Sequence, residues 1–150
     1  MLARKMTEDD IKYVADIEKS SFSMPWTFNG FMDALKNPDA MLTVVEEDGE
    51  IVGYTCMYCS FEEGEITNVA VKESKRGQGI GKYLMSETMK FSLERGIQRI
   101  ILEVRCSNEN AIGLYNKIGF NNVGVRKGFY EKPKEDACIM ICENIRKMEE

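Results

Sequence analysis

Histidine is missing altogether: none occurs among the 150 residues. That absence removes Ser-His-Asp and Cys-His catalysis and every His-ligated zinc site. Any general base must therefore be Asp, Glu, Tyr, Lys, Cys or ordered water. Cysteine is sparse, five residues scattered along the chain rather than set in a framework, which fits a reducing compartment. Cys56 and Cys59 form a C-x-x-C, but "IVGYTCMYCSF" reads as a strand, in which positions three apart point to opposite faces. Buried small side chains explain the pair better than zinc or redox chemistry. No apolar run is long enough to cross a bilayer, and "MLARKMTEDD" lacks the apolar core of a signal peptide, so a cytoplasmic location is expected. Basic charge is also short: 20 Lys and Arg against 25 Asp and Glu leave a net −5. Broad nucleic-acid binding needs the reverse, whereas a basic peptide substrate would suit it.

What remains is the composition of an ordinary soluble globule, 43% hydrophobic and 30% charged. One domain over residues 1–150 is expected, burying roughly 70% of its unfolded surface. "LARKM" reads as a strand and "TEDDIKYVADIEKSSF" as a helix, with Thr7 as its cap and Ile11, Val14 and Ile17 as its stripe. Thr27 can cap a second helix that stops before Pro38. "AMLTVVEEDGEIVGYTCMY" is two strands around Asp48-Gly49, and "EITNVAV" is another. A helix follows, with Ile80, Leu84 and Phe91 on one side, closed by Gly96. "RIILEV" carries apolar residues at both parities, as at a sheet centre. "SNENAIGLYNKI" is a helix ended by Gly119, and "FNNVGV" and "ACIMICENI" are the last strands. The class is α/β, in the mixed α+β sense: a hairpin-led, mostly antiparallel sheet with a βαβαβ segment in its second half.

Two of these strands run straight into helices, and ligands of open α/β sheets sit beyond such carboxyl ends. At the first exit lies "RGQGIGK". Lys82 follows Gly81, but Arg76 stands where a Walker loop needs its first glycine, and Tyr83 where it needs Ser or Thr. Position 82 is Lys rather than Gly, so the dinucleotide G-x-G-x-x-G is not met either. What is left is a run of backbone N–H groups at a helix N-terminus, flanked by cations and suited to a pyrophosphate. At the second exit is Glu103, within "IILEVR", where a carboxylate is costly unless hydrated or paired. Partial burial would raise its pKa toward that of a working base. A salt bridge to Arg105, two residues on, accounts for it equally well.

R-x-x-G-x-G, Arg76 to Gly81, resembles the acetyl-CoA pyrophosphate loop of the GNAT acetyltransferase superfamily. More narrowly, "NVAV", "LEVRCSNENAIGLYNKIGF", "RKGFYEKPKEDACIM" and the Pro25-Trp26 pair resemble RimI-type ribosomal-protein-alanine N-acetyltransferases. Glu73 stands where the family often has proline. The resemblance implies the GNAT fold, whose strand carrying Val69, Ala70 and Val71 splays from its neighbour to receive the pantetheine arm of acetyl-CoA. It implies that Gly77, Gln78, Gly79, Ile80, Gly81 and Lys82 hold the pyrophosphate, with Asn108 touching the cofactor nearby. It makes Glu103 the base and Tyr115 the proton donor to the departing CoA thiolate, with no metal.

Tyr115 lies seven residues after Asn108, two turns along one helix face; a core aromatic is the alternative. Cys106 has no histidine partner and reads as a packed thiol. The implied acceptor is the alanine N-terminus of a small-subunit ribosomal protein, met by a monomer without direct contact to nucleic acid or membrane. Acetylation of a small amine such as a polyamine or drug remains open, as does a non-catalytic acyl-CoA-binding module. An acidic "SFEEGEI" loop, with Glu62, Glu63 and Glu65, and the Trp26 segment could wall a groove for a basic peptide; a solvated hairpin tip is the alternative.

Overall fold

The computed structural model describes residues 1–145. Seven strands form one sheet in the order β1-β2-β3-β4-β5-β7-β6, with four helices packed on it. β1 (Leu2–Lys5), β2 (Ala40–Glu47), β3 (Glu50–Ser60) and β4 (Glu63–Val71) run antiparallel to one another. The Asp48-Gly49 hairpin is present, and both residues adopt positive φ (52° and 78°), matching the twist of the two strands they join. α1 (Ile11–Ser21) begins later than its sequence suggests. Residues 8–10 form a 3-10 turn with Thr7 at its N-cap, where Thr7 and Asp10 make a reciprocal capping box and the Asp10 carboxylate accepts from the Thr7 N–H and hydroxyl (2.8 and 3.0 Å). α2 (Phe28–Lys36) is capped as expected, the Thr27 hydroxyl accepting from Gly30 N–H at 3.2 Å.

The second half is the crossover segment. β4 leads through α3 (Ile80–Glu94) to β5 (Arg99–Arg105), parallel to β4. α4 (Glu109–Lys117) then leads to β6 (Asn121–Glu131), which runs on through the "RKGFYE" stretch. β7 (Lys134–Cys142) returns between β5 and β6, antiparallel to both, and stops before Glu143–Ile145, which the sequence reading had included. Local pattern does not reveal such an insertion, because it is decided by pairing distant in sequence.

Two faces result. α1 and α2 cover β2 to β4 through a core of Ile11, Val14, Ile17, Phe31, Tyr54 and Cys56. α3 and α4 cover the opposite face, where Ile100, Leu102 and Val104 meet Met85, Met89, Tyr115 and Ile118. Cys56 packs with the first core and Cys59 with the second, as strand alternation requires. Along β5 burial alternates strictly: Ile101, Glu103 and Arg105 are only half-buried. β5 is thus central but not covered on both sides, which corrects the sequence expectation. Phe91 likewise leaves the Ile80–Leu84 side of α3 and packs against the Met85–Met89 core. Among the described residues, no helix is long and apolar enough to cross a membrane.

Candidate active site

β4 and β5 pair over four positions only, from Glu63↔Arg99 to Ile66↔Leu102. Beyond them the strands part, leaving a slot through the sheet between residues 67–71 and 103–105. A bulge at Thr67 marks the divergence: Cys56 faces Asn68 and Met57 faces Ile66, so Thr67 is the extra residue. The bulge also resets the faces of β4. Ile66 points into the α3–α4 core, Ala70 toward α1 and α2, and Val69 and Val71 toward Ile80 and Leu84 of α3. On its β3 side the 69–71 stretch remains paired (Val69↔Thr55, Ala70↔Tyr54, Val71↔Gly53). Its β5 side has no strand partner, the arrangement that accepts an extended chain.

At the end of this stretch sits the glycine turn. Gly77 and Gly79 take φ of 78° and 83°, a region that costs other L-residues about 1–2 kcal/mol. A Cβ on either would meet nothing within 4 Å, so these glycines are required by conformation rather than space. Gly79 caps α3 without a side-chain acceptor, and Gly77, Gln78, Gly79 and Lys82 are exposed. The first N–H groups of α3 therefore face outward unsatisfied, which suits a pyrophosphate. Gly81 differs: a Cβ there would come within 3.3 Å of Leu114 on α4 and 3.8 Å of Val71. It is the point where α3, α4 and the end of β4 close together, over the buried Ile80. Arg76 is less a free cation than a brace, its Nε donating to Val71 O (3.0 Å) and its Nη2 to Ser21 Oγ (3.2 Å).

Glu103 and Tyr115 flank the slot from opposite faces. Glu103 is on the α1–α2 side of β5, its side chain 13% exposed. Burial raises its pKa, the Arg126 guanidinium at 3.5 Å pulls it back down, and the negative charge of Glu65 pushes it up again. Arg105 is engaged elsewhere: it bonds Glu135 (3.1 Å) and the Pro133 carbonyl (2.9 Å), and lies 4.3 Å above the Tyr130 ring. The partner of Glu103 is therefore Arg126, not Arg105. Tyr115 is 5% exposed in the α3–α4 core, its ring 5.8 Å from that of Phe120. Burial, and the nearby Tyr130, hold its phenol far above its ordinary pKa. Tyr130 itself is pushed up to about 12, by burial and then by Glu103.

Asn108 is exposed at the start of α4 and caps it, Oδ1 accepting from Ala111 N–H at 3.2 Å. Cys106 Sγ lies 3.0 Å from Cys138 Sγ, and this contact above all raises its pKa to about 11, which weakens it further as a nucleophile. The three glutamates of the anticipated loop are separated. The turn at residues 61–62 is tight, Glu63 and Glu65 lie within β4, and Arg99 approaches Glu63 at 3.7 Å. Of the three, only Glu65 acts on Glu103.

The family profile described as Acetyltransferase (GNAT) family matches residues 11–120. The chain belongs to this family. A provisionally named ribosomal protein bS18-alanine N-acetyltransferase of Bacillus subtilis (strain 168) is 41% identical to it over 138 residues, covering 91% of each. The ribosomal protein bS18-alanine N-acetyltransferase of Haemophilus influenzae is 33% identical over 136 residues, 89% of this chain and 92% of that one. The crystal structure of the ribosomal-protein-S18-alanine N-acetyltransferase from Escherichia coli superposes with a TM-score of 0.86 at 26% identity, covering 93% and 91% of the two chains. The GNAT chain described here is an acetyl-CoA-dependent N-acetyltransferase.

The sequence alone did not bring out Arg126, Tyr130, the Thr67 bulge or a buried Glu18. Glu18 had a signal: it lies seven residues after Ile11 and four after Val14, on the apolar stripe of α1. Arg126 had none, since its approach to Glu103 depends on the β6–β7–β5 order.

Proposed function

We propose that this chain transfers the acetyl group of acetyl-CoA to the N-terminal alanine amine of the small-subunit ribosomal protein bS18, by direct attack in a ternary complex. The observation that carries this reading is the slot between β4 and β5, with a carboxylate on one face and a phenol on the other. In this reading Val69, Ala70 and Val71 receive the pantetheine arm along the unpaired edge of β4, as an added strand would be received. Gly77, Gln78, Gly79, Ile80, Gly81 and Lys82 hold the pyrophosphate at the start of α3, and the Asn108 amide, its Oδ1 committed to the cap, offers its N–H groups nearby.

Because the glycine turn and α4 lie on one side of the sheet and Glu103 on the other, the acceptor enters from the α1–α2 side. Glu103, directly or through water, takes the proton of the acceptor ammonium. An α-amine has a pKa near ~8 against ~10.4 for lysine, so a modest carboxylate base suffices. Backbone N–H groups near Val71 polarise the thioester carbonyl. As the C–S bond breaks, Tyr115, protonated through the working range, donates a hydrogen bond to the developing thiolate, and the second proton shed by the acylated nitrogen lets CoA leave as the thiol. The reading places the enzyme in the cytoplasm as a monomer, its net charge of −5 favouring a basic protein terminus over nucleic acid.

The test is an assay with acetyl-CoA, a synthetic bS18 N-terminal peptide, the same peptide with a blocked N-terminus, and spermidine. One acetyl group on the free α-amine alone is expected, read by fragment mass spectrometry. Equal turnover of spermidine would favour the small-amine reading. Acetyl-CoA binding without transfer to either would favour a binding module.

A further inference from the structure

Beneath the α1–α2 connection lies a carboxylate that the mechanism above does not use. Glu18 is 2% exposed, and no cation pairs with it among the described residues. Its two oxygens accept from three neutral donors: Trp26 N–H at 2.9 Å, the Tyr54 hydroxyl at 2.5 Å, and Asn68 Nδ2 at 3.1 and 3.3 Å. Tyr54 and Asn68 are themselves buried. Because Nδ2 is held by a pure acceptor, the Asn68 amide orientation is fixed, and its buried Oδ1 is left without a partner.

A core kept only for stability has no reason for such a group. Apolar residues of similar shape would avoid desolvating both the carboxylate and the orphaned oxygen. The geometry gives it another reason. Asn68 follows the Thr67 bulge and precedes Val69, where β4 leaves β5. Trp26 belongs to the connection at residues 22–27, which crosses the α1–α2 side of the slot. That connection is tied at one end to the glycine turn by Ser21 and Arg76 (3.2 Å), and further along Ser23 donates to the Lys132 carbonyl at the β6–β7 turn. The Lys132 carbonyl also accepts from Arg105 Nη2 at 3.1 Å, two residues from Glu103 on the same face.

We infer that Glu18 is a positioning residue for the acceptor: its buried carboxylate locks the connection bearing Trp26 to β4 at the divergence point, and so fixes the width of the acceptor mouth in front of Glu103. The inference rests on the acceptor side proposed above, but one of its readouts does not depend on the acceptor's identity. Trp26 is the sole tryptophan, so its fluorescence reports the connection directly.

Trp26 N–H and Asn68 Nδ2 share one oxygen of Glu18, which a glutamine carbonyl could replace, so the test uses Glu18→Met, in which no acceptor remains and both links are lost. Acrylamide quenching of Trp26 in the free enzyme should rise roughly twofold or more. KM for an alanine-started basic peptide should rise about tenfold, with KM for acetyl-CoA held within about twofold. Tyr54→Phe removes the third donor but leaves the Trp26–Glu18–Asn68 link, and should keep wild-type quenching and peptide KM. If Glu18→Met does not fold, Asn68→Leu cuts the same link on the β4 side and is read in the same way.

Unchanged Trp26 quenching in the severed variant would overturn the inference, and so would a parallel rise of both KM values, which would mark general damage. An enzyme that acetylates no alanine-started peptide, yet shows the quenching change, would sink the acceptor assignment and leave the lock standing.

Discussion

At the scale of single residues, the proposed mechanism depends on two groups whose proton affinities are raised by burial in different degrees. Glu103 must be ionised to act as a base, so activity should climb with pH through its raised pKa. Glu103→Gln should lower kcat about a hundredfold or more while leaving acetyl-CoA affinity intact, with part of the rate recovered at high pH where the amine is already free. Glu65→Gln removes a negative charge and should move the acid limb of kcat/KM to lower pH. Arg126→Met removes the opposing cation and should move it to higher pH. Opposite displacements of one limb would identify Glu103 as its source; a limb that ignores both changes would not belong to it. The linked stability effect has a definite sign. The folded pKa lies above that of an unfolded carboxylate, so stability is lost as pH rises from the unfolded value through the folded one. Glu103→Gln should therefore melt no lower than wild type at neutral pH. Tyr115→Phe should reduce kcat roughly tenfold to a hundredfold, the worth of a hydrogen bond to developing charge. Because burial holds the phenol far above its ordinary pKa, Tyr115 should add no alkaline limb in the assayable range, contrary to what an exposed tyrosine would give.

At the scale of elements, the glycines of the turn proposed to hold the cofactor divide by mechanism. Gly79→Ala puts a Cβ into open space but a non-glycine residue at φ 83°, so it should cost about 1–2 kcal/mol in melting experiments and weaken CoA binding as the turn relaxes. Gly81→Ala meets Leu114 at 3.3 Å and should act through α4, lowering kcat more than CoA affinity, as calorimetry and turnover together would show. The turn was legible in the sequence because its chemistry is local: three glycines, a strand before and a helix after. The hairpin at Asp48-Gly49, the Thr27 cap and the helix ends at Gly96 and Gly119 were legible for the same reason. Thr7 was legible as an N-cap, but not that Asp10 would close a capping box with it and also accept from Arg4 at 2.7 Å. The half-open face of β5 was misread because Ile101 looks like a core residue until the positions of α1 and α2 are known. Glu103 and Tyr115 could be named from the sequence, but not that they flank one opening from opposite faces.

At the scale of the whole molecule, the net charge of −5 bears on the proposed acceptor. For an alanine-started basic peptide, kcat/KM should fall as salt rises, because long-range attraction is screened beyond about 8 Å at physiological ionic strength. Reversing charge at Glu65, on the face of Glu103, should raise peptide KM more than reversing both Glu62 and Glu63 at the far end of β4. Steady-state kinetics at two salt concentrations would separate these positions. Equal effects would mean that overall charge, rather than the mouth of the slot, attracts the acceptor.

The place of β7 also has a consequence in time. β5 takes its second neighbour from a strand that begins 29 residues after Arg105 (134 − 105), so as the chain is synthesised the Glu103 strand waits with one edge bare. Until β7 emerges and slips in beside it, neither the carboxylate nor its Arg126 counter-ion has its final surroundings. The surroundings of Glu103 are thus completed only once β7 has been synthesised. A fragment ending at Glu131 would expose a long apolar strand edge, and light scattering should find it self-associated rather than folded.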